Sequence, residues 1–266
     1  MADDSKNISN SAKSAIGSYA AVGDSFTEGV GDPGPDGAYI GWADRLAVLL
    51  ADQRDEGDFR YANLAVRGRL LDRIIEEQVP RAQQLAPELV TFCAGGNDIL
   101  RPGSDPDAVA ERYEAAVAAL RETVPTVLLC TGFDTRGVPV LKHLRGKIAT
   151  YTAHVRAIAD RHDCPVLDLW SLKSVQDRRA WSEDRLHLSA DGHTRVALRA
   201  AQVLGLAVPA DPDQPWPPET ERTAAEARRD NVHWAREHLV PWIGRRLRGV
   251  SSGDDVEPKR PDLLPL

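Results

Sequence analysis

A serine near the start of the chain has the setting of a nucleophile. Ser25 lies in the run GDSFTEG, directly after a short apolar stretch over residues 18–22. A serine at the junction of a strand and a helix can be held exposed at the rim of a sheet, with its backbone N–H pointing into the same space. A serine that only caps a helix has the same setting, so this run by itself leaves both roles open. It is not a G-x-S-x-G elbow, because Thr27 takes the place of the second glycine.

An aspartate and a histidine far along the chain could activate that serine. Asp184 and His187 stand three residues apart in the run DRLH. This spacing lets the carboxylate reach the imidazole and fix its tautomer, which leaves the second ring nitrogen to take a proton from a serine. A surface loop with a chance ion pair is the alternative. Asp191 and His193 form a rival pair, but they fall in the first turn of a predicted helix, where capping and packing are the expected roles.

Two further residues could stabilise the negative charge that forms when a serine attacks a carbonyl group. Gly68 ends the run NLAVRG, and a glycine in a loop offers an unobstructed backbone N–H. Asn97 lies in the run GGND, and its side-chain amide could donate to an oxyanion. Each also has a plain structural explanation, because both residue types are common in turns.

Two aspartates beside these candidates could bind a metal or support the loops. Asp24 precedes Ser25, and Asp98 follows Asn97. Together with Asn97 and His187 they could hold a metal for phosphoester cleavage. We favour hydrogen bonds that hold Ser25 and Asn97 in place, because the sequence has no H-x-H or H-E-x-x-H spacing. The phosphate-binding spacing G-x-x-x-x-G-K-[ST] is absent as well, and we expect no metal and no cofactor.

The candidate residues fall near the ends of predicted strands. Strand-like runs cover residues 18–22, 59–64, 88–94, 126–130 and 165–169, and helix-like runs cover 41–52, 70–84, 106–122, 141–161 and 189–204. Strict alternation predicts a parallel sheet of about five strands with helices on both faces, which is a three-layer α/β/α sandwich. Ligands bind beyond the carboxyl ends of such strands. The candidates are therefore expected to converge on one rim of the sheet.

Taken together, the four blocks resemble the SGNH/GDSL hydrolase family over about residues 16–206. The marker residues of that family match Ser25 in GDSFTEG, Gly68 in NLAVRG, Asn97 in GGND and His187 in DRLH, and Asp184 matches the aspartate three residues before the histidine. The resemblance implies a flavodoxin-like sheet and ester hydrolysis without a metal. Phe26 departs from the leucine in the name of the family, and we interpret it as a packing position.

From these residues we predict a GDSL-type esterase or lipase that acts on a small-molecule carboxylic ester. Ser25, His187 and Asp184 would form the acyl-enzyme machinery, and Ser25, Gly68 and Asn97 would form the oxyanion hole. Two alternatives stay open, because fold alone does not decide function. They are a metal-dependent phosphoesterase and a catalytically silent binding module.

Composition limits the class of partner. The chain has 266 residues, a formal net charge of −7 and three cysteines at wide spacing. The acidic balance argues against nucleic-acid binding, which needs a basic face. The N-terminal stretch has no apolar signal region, and no run of about 18 apolar residues is present. We therefore expect a cytoplasmic protein whose cysteines are small buried side chains.

The chain divides into four predicted segments. Residues 1–14 are expected to be disordered, 15–208 to form the catalytic domain, 209–250 to be a Pro-rich linker with a helical extension, and 251–266 to be a disordered tail. The extension carries an apolar stripe and several arginines: Trp234, Leu239, Trp242, Ile243 and Leu247, with Arg236, Arg245, Arg246 and Arg248 around them. This pattern over 231–249 suits either an anionic membrane surface or packing on the catalytic domain or a partner subunit, and we favour packing.

Overall fold

A sheet of six strands lies at the centre of the chain, which the computed structural model describes over residues 16–54, 57–138, 141–218, 223–241, 244 and 252–266. The strands are β1 (Ser18–Gly23), β2 (Arg60–Asn63), β3 (Leu89–Cys93), β4 (Thr126–Cys130), β5 (Val166–Leu167) and β6 (Arg260–Pro265). Their order across the sheet is β5-β4-β3-β1-β2-β6. The first five strands pair in parallel, and β6 is antiparallel to β2. The predicted parallel sheet is confirmed, with one antiparallel strand added at an edge.

Helices cover both faces of this sheet. They are α1 (Ser25–Glu28), α2 (Trp42–Ala51), α3 (Leu71–Leu85), α4 (Gly96–Ile99), α5 (Pro106–Arg121), α6 (Arg145–Arg161), α7 (Ala190–Val203) and α8 (Ala224–Trp234). Apolar side chains of α3, α5 and α6 pack in the core on one face, and those of α2 and α7 pack on the other. In β1, Ala20 belongs to the first core and Tyr19 and Ala21 to the second, and all three are fully buried. Burial on both faces explains the continuous apolar runs and confirms the three-layer sandwich.

Several helix ends follow signals that are present in the sequence. Ser189 caps α7, because its side-chain oxygen accepts from the backbone N–H of Gly192 at 3.2 Å. The same helix ends shortly before Gly205, whose φ of +79° is in the left-handed region. The helix predicted over 141–161 differs slightly, since it starts as a 3-10 turn at Leu141–Leu144 and continues as α6.

The C-terminal segment corrects one expectation from the sequence. Disorder over 251–266 is wrong for Arg260–Pro265, which pairs with β2 as an edge strand. The run RPDLLP contains two prolines, and prolines usually argue against a strand. An edge strand tolerates prolines because the positions that lack an N–H can face the side of the strand that has no neighbouring strand. Tertiary pairing with β2 therefore decides the structure of this segment.

Part of the predicted C-terminal extension lies within the described residues. The helix α8 continues as a π-helical turn over Ala235–Leu239. The side chain of Trp234 is buried rather than exposed. Within the described ranges, every helix is too short or too polar to cross a lipid bilayer. The expectations for residues 1–14 fall outside those ranges. So do the expectations for three residues of the apolar stripe and three of the arginines around it: Trp242, Ile243, Leu247, Arg245, Arg246 and Arg248.

Candidate active site

The turn after β1 presents Ser25 at the carboxyl end of the sheet. Ser25 is the first residue of α1, and the carboxylate of Asp24 caps that helix by accepting from the backbone N–H of Phe26 at 3.1 Å. The helix has only four residues and ends at Gly29, whose φ is +100°. A Cβ at Gly29 would lie 2.4 Å from the backbone nitrogen of Gly41, so only glycine fits here. The short helix therefore holds the Ser25 hydroxyl at a fixed point.

A buried glutamine fixes the strand end that precedes the serine. The side chain of Gln78 accepts from the backbone N–H of Gly23 and donates to the carbonyl oxygen of the same residue, each at 2.9 Å. This role of Gln78 is not among those that the sequence predicts above. The signal was present, however, because Gln78 interrupts the buried apolar stripe of α3 that includes Ile74 and Ala82. A buried amide in such a stripe needs polar partners, and here it finds them on the backbone that leads to Ser25.

Ser25, His187 and Asp184 form a continuous hydrogen-bonded series. The Oγ of Ser25 lies 3.0 Å from Nε2 of His187. The Nδ1 of His187 lies 2.6 Å from Oδ2 of Asp184. With the Nδ1 proton donated to the carboxylate, Nε2 is left to accept from the serine hydroxyl. Residues that are 162 positions apart in the chain are thus within hydrogen-bond distance of each other.

The loop of Asp184 and His187 is held by its own hydrogen bonds. The Oδ1 atom of Asp184 accepts from the backbone N–H groups of Leu186 at 2.9 Å and His187 at 3.0 Å, and from the hydroxyl of Ser182 at 2.7 Å. Between Asp184 and His187, Arg185 has a φ of +56°, which is unusual for a residue other than glycine. This tight turn brings the carboxylate back to the imidazole of its own segment.

Asn97 lies beside this series in α4, directly after β3, and Gly68 lies in the loop after β2. The side-chain amide of Asn97 donates to Oδ2 of Asp24 at 2.9 Å and to the carbonyl oxygen of Arg69 at 3.2 Å. Gly68 precedes Arg69 and has a φ of +74°, a conformation that favours glycine. The amide of Asn97 therefore joins the serine turn to the loop of Gly68. Both of its hydrogens have acceptors within the protein.

Asp98 supports the neighbouring loop from a buried position. Its Oδ2 accepts from the backbone N–H of Leu71 at 2.9 Å, and Arg112 lies 3.7 Å from Oδ1. Burial raises the pKa of the Asp98 carboxyl group, and the hydrogen bond from Leu71 offsets part of that rise. Its carboxylate ties the loop of Asn97 to the start of α3.

The alternative pair and the alternative metal site do not assemble. His193 is fully buried, and its Nδ1 accepts from the backbone N–H of Trp42 at 3.2 Å. Burial lowers the pKa of His193 to about 3, so this ring is neutral and packs in the core. Within the described ranges, no group of three or more His, Cys, Asp or Glu residues is arranged to hold a metal ion.

A largely apolar cavity of about 190 Å³ opens next to the serine. Polar groups at this cavity include Ser25, Asn97 and His187. Much of its remaining wall is apolar and comes from the loops after β3 and β4, from α6 and from the segment before α7: Ala94, Ile99, Leu100, Phe133, Val138, Leu141, Ile148, Leu169, Val175 and Trp181. The Ser25 hydroxyl therefore lies at the edge of a largely apolar pocket.

Phe26, which departs from the family name, is part of an aromatic cluster at this cavity. Its ring contacts that of Phe133 edge to face, with the ring centroids 5.0 Å apart. Phe133 contacts Trp181 in the same way, also with a centroid distance of 5.0 Å. Such edge-to-face contacts stabilise aromatic pairs beyond the area they bury. Packing accounts for the phenylalanine at this position.

Comparison with known sequences places the site within a described family. Residues 21–195 match the model of the GDSL-like Lipase/Acylhydrolase family. This range includes every residue of the site described above. The chain is also 27% identical over 210 residues to YpmR, an uncharacterized protein of Bacillus subtilis strain 168, covering 70% of this chain and 80% of that protein.

Solved structures with the same fold include two enzymes. A variant of an acetyl xylan esterase from Geobacillus stearothermophilus has a TM-score of 0.61 at 20% identity, covering 74% of this chain and 100% of that chain. The enzyme LAE5, described as an alpha/beta hydrolase from the metagenome of Lake Arreo, has a TM-score of 0.60 at 22% identity, covering 72% and 96%. At these identities the likeness concerns the fold.

Proposed function

Since the chain belongs to the GDSL-like Lipase/Acylhydrolase family, which supports a hydrolase that acts on esters, we propose that it cleaves carboxylic esters with Ser25 as the nucleophile. The observation that carries this proposal is the series from the Ser25 hydroxyl to His187 at 3.0 Å and on to Asp184 at 2.6 Å. A nucleophile, a base and a group that orients the base are the parts that acyl transfer requires.

The reaction proceeds in two steps. His187 accepts the hydroxyl proton while Oγ of Ser25 attacks the ester carbonyl, and the carboxylate of Asp184 stabilises the imidazolium. The tetrahedral intermediate collapses as His187 returns the proton to the leaving alcohol, which breaks the ester bond and leaves the acyl group on Ser25. A water molecule, deprotonated by His187, then attacks the acyl-enzyme, releases the acid and restores the serine.

The oxyanion is held by the backbone N–H groups of Ser25 and Gly68 and by the amide of Asn97. That amide donates to Asp24 and to the carbonyl oxygen of Arg69. The bond to Asp24 is charge-assisted and the shorter of the two, so the amide keeps it and exchanges Arg69 for the oxyanion. Loss of one such donor typically costs about 10²–10³ in turnover.

The acyl group occupies the apolar cavity beside Ser25. The acetyl xylan esterase among the similar structures acts, by its name, on an acetyl ester. A cavity needs a volume of about 10–15 Å³ to hold one water molecule, and a methyl group is of similar size. An acetyl methyl would therefore leave most of a cavity of about 190 Å³ empty. We propose that the substrate of this protein is an ester with a longer acyl chain than acetyl.

The catalytic assignment is tested with Ser25→Ala and His187→Ala on p-nitrophenyl butyrate, with and without a chelator. We expect activity that resists the chelator and falls by about 10⁴-fold or more in both variants. Ser171→Ala is the matched control, because Ser171 is exposed and its hydroxyl contacts Asp168. Phosphatase activity that the chelator abolishes would instead favour a metallophosphoesterase. If no ester is hydrolysed and Ser25 does not react with a fluorophosphonate probe, a catalytically silent binding module would be favoured.

The acyl assignment is tested with p-nitrophenyl esters from acetyl to palmitoyl. Each buried methylene contributes up to about 0.8 kcal/mol, so kcat/KM should rise by at most about fourfold per carbon until the cavity is full, and then fall. Ala94→Leu places a larger side chain on the cavity wall and should move the optimum to shorter chains. An acetyl optimum in the wild type would contradict the longer acyl chain and leave the serine mechanism intact.

A further inference from the structure

A tryptophan beyond the residues matched by the family model touches the catalytic loop. Trp234 is the last residue of α8, and the family match ends at residue 195. The Trp234 side chain is 6% exposed, and its indole N–H donates to the backbone carbonyl oxygen of Asp184 at 2.8 Å. A hydrogen bond to this backbone oxygen bears directly on the residue whose carboxylate orients His187.

A second contact of the same helix holds the next residue of that loop. The guanidinium of Arg185 lies 4.9 Å from the centroid of the Trp234 ring, and its Nη1 donates to the side-chain oxygen of Asn231. Arg185 is the residue with the positive φ in the turn from Asp184 to His187. Because L-residues disfavour this conformation, contacts from outside the turn add to the hydrogen bonds that the turn makes within itself. The helix α8 supplies three such contacts to two consecutive residues, Asp184 and Arg185.

We propose that Trp234 is a positioning residue for the reaction, and that α8 therefore forms part of the active-site framework. This inference rests on the proposed function. Trp234 holds the peptide of Asp184, Asp184 holds Nδ1 of His187, and His187 faces the Ser25 hydroxyl. A small displacement of this loop lengthens the hydrogen bond that activates the serine, and catalytic geometry is sensitive to such displacements. The ester itself need not touch Trp234.

The chain offers a matched control in Trp216. Its indole N–H also donates to a backbone carbonyl oxygen, that of Ser174, at 2.9 Å. Arg195 lies 4.1 Å from the centroid of its ring, which mirrors the cation–π contact of Trp234. Its acceptor lies outside the loop from Asp184 to His187. Replacing either tryptophan with phenylalanine keeps an aromatic side chain, although a smaller one, and removes the N–H donor.

The experiment compares Trp234→Phe and Trp216→Phe with the wild type at a temperature where all are folded. Active sites are titrated with a fluorophosphonate, and kcat, KM and the second-order rate of labelling are measured per titrated site. For Trp234→Phe we expect kcat and the labelling rate to fall by about tenfold, with KM within twofold. For Trp216→Phe we expect both rates within twofold of the wild type, whatever its melting temperature.

The outcomes separate this inference from the proposed function. A loss of thermal stability alone, with unchanged rates per titrated site, would mean that Trp234 is only structural and would overturn the inference. Equal losses in both variants would overturn it too. If Trp234→Phe does not fold, Asn231→Ala replaces it, with an expected two- to fivefold loss of kcat, and unchanged kinetics would reject the role of α8. A wild type that neither hydrolyses esters nor reacts at Ser25 would instead end the proposed function.

Discussion

Asp184 is partly buried, and that burial by itself raises the pKa of its carboxyl group. Hydrogen bonds from His187 and from the backbone of Leu186 outweigh the effect of burial and hold the pKa well below its usual range. The group is therefore charged at neutral pH. A charged carboxylate can fix the Nδ1 proton of His187 without accepting it, and this is the state that base catalysis by the ring requires.

A prediction at the scale of the residue concerns Asp184→Asn. The amide keeps the size of the side chain but removes its charge and favours the wrong tautomer of His187. We expect kcat to fall by about 10³- to 10⁴-fold with KM nearly unchanged, as measured by steady-state hydrolysis of a p-nitrophenyl ester. Asp177→Asn is the matched control, because Asp177 likewise accepts from the backbone N–H two residues ahead and pairs with the side chain of that residue, Arg179. An Asp184→Asn enzyme with a tenth of the wild-type kcat would refute the role of the carboxylate.

At the scale of the element, α7 is joined to the start of α2 by a buried polar contact. His193 on α7 is fully buried and accepts from the backbone N–H of Trp42. Desolvation lowers the pKa of His193 to about 3, compared with about 6.5 in an unfolded chain. Between these pH values the unfolded chain binds a proton that the folded one does not. This contribution to stability is complete above about pH 6.5 and is lost as the pH falls.

A prediction on pH dependence follows from this helix contact. As the pH falls from about 6.5 toward 3, protonation of His193 in the unfolded chain should lower the free energy of unfolding by up to about 1.4 kcal/mol per pH unit. In His193→Asn that part of the slope should vanish, although the variant is less stable at neutral pH. Urea unfolding at pH 7, 5.5 and 4.5 measures both quantities. The exposed His143→Asn serves as the control, and a slope in His193→Asn equal to that of the wild type would show that another group causes it.

At the scale of the whole molecule, the segment after α8 packs on the layers of the α/β/α sandwich. The ammonium group of Lys259 donates to the carbonyl oxygens of Glu28 and Tyr39 and pairs with Asp44 at 2.7 Å. A Cβ at Gly253 would lie 1.9 Å from the carbonyl oxygen of Arg67, so the backbone packs directly on the loop that leads to Gly68. The segment thus packs against the chain near both the serine turn and Gly68.

A prediction at this scale compares two ties of the C-terminal segment. Lys259→Met removes a largely buried ammonium group and leaves three acceptors without it, so we expect a loss of about 2 kcal/mol in the free energy of unfolding. Arg81→Met breaks a more exposed pair with Asp262 on β6 and should cost less than about 1 kcal/mol. Urea unfolding at one pH and salt concentration gives both values. Equal losses in the free energy of unfolding would mean that Lys259 stabilises the protein no more than an exposed ion pair does.

The sequence by itself determined the layered fold and the rim on which the candidates meet. Apolar runs such as 88–94 alternate with helical periodicity, and that pattern admits a parallel sheet with both faces covered. In such a sheet, residues that follow different strands must share the carboxyl edge. Ser25, Asn97 and His187 could therefore be predicted to lie together, because each stands in a loop after a predicted strand.

Only the tertiary structure decided which partner each group has. The amide of Asn97 binds Asp24 and Arg69, Gln78 fixes the end of β1, Trp234 holds Asp184, and the proline-bearing β6 completes an edge of the sheet. Local periodicity encodes which face of an element is apolar, because that depends on neighbours a few positions away. Hydrogen bonds between residues far apart in sequence depend on the distances at which packed layers leave their backbones, and no short stretch of sequence contains that information.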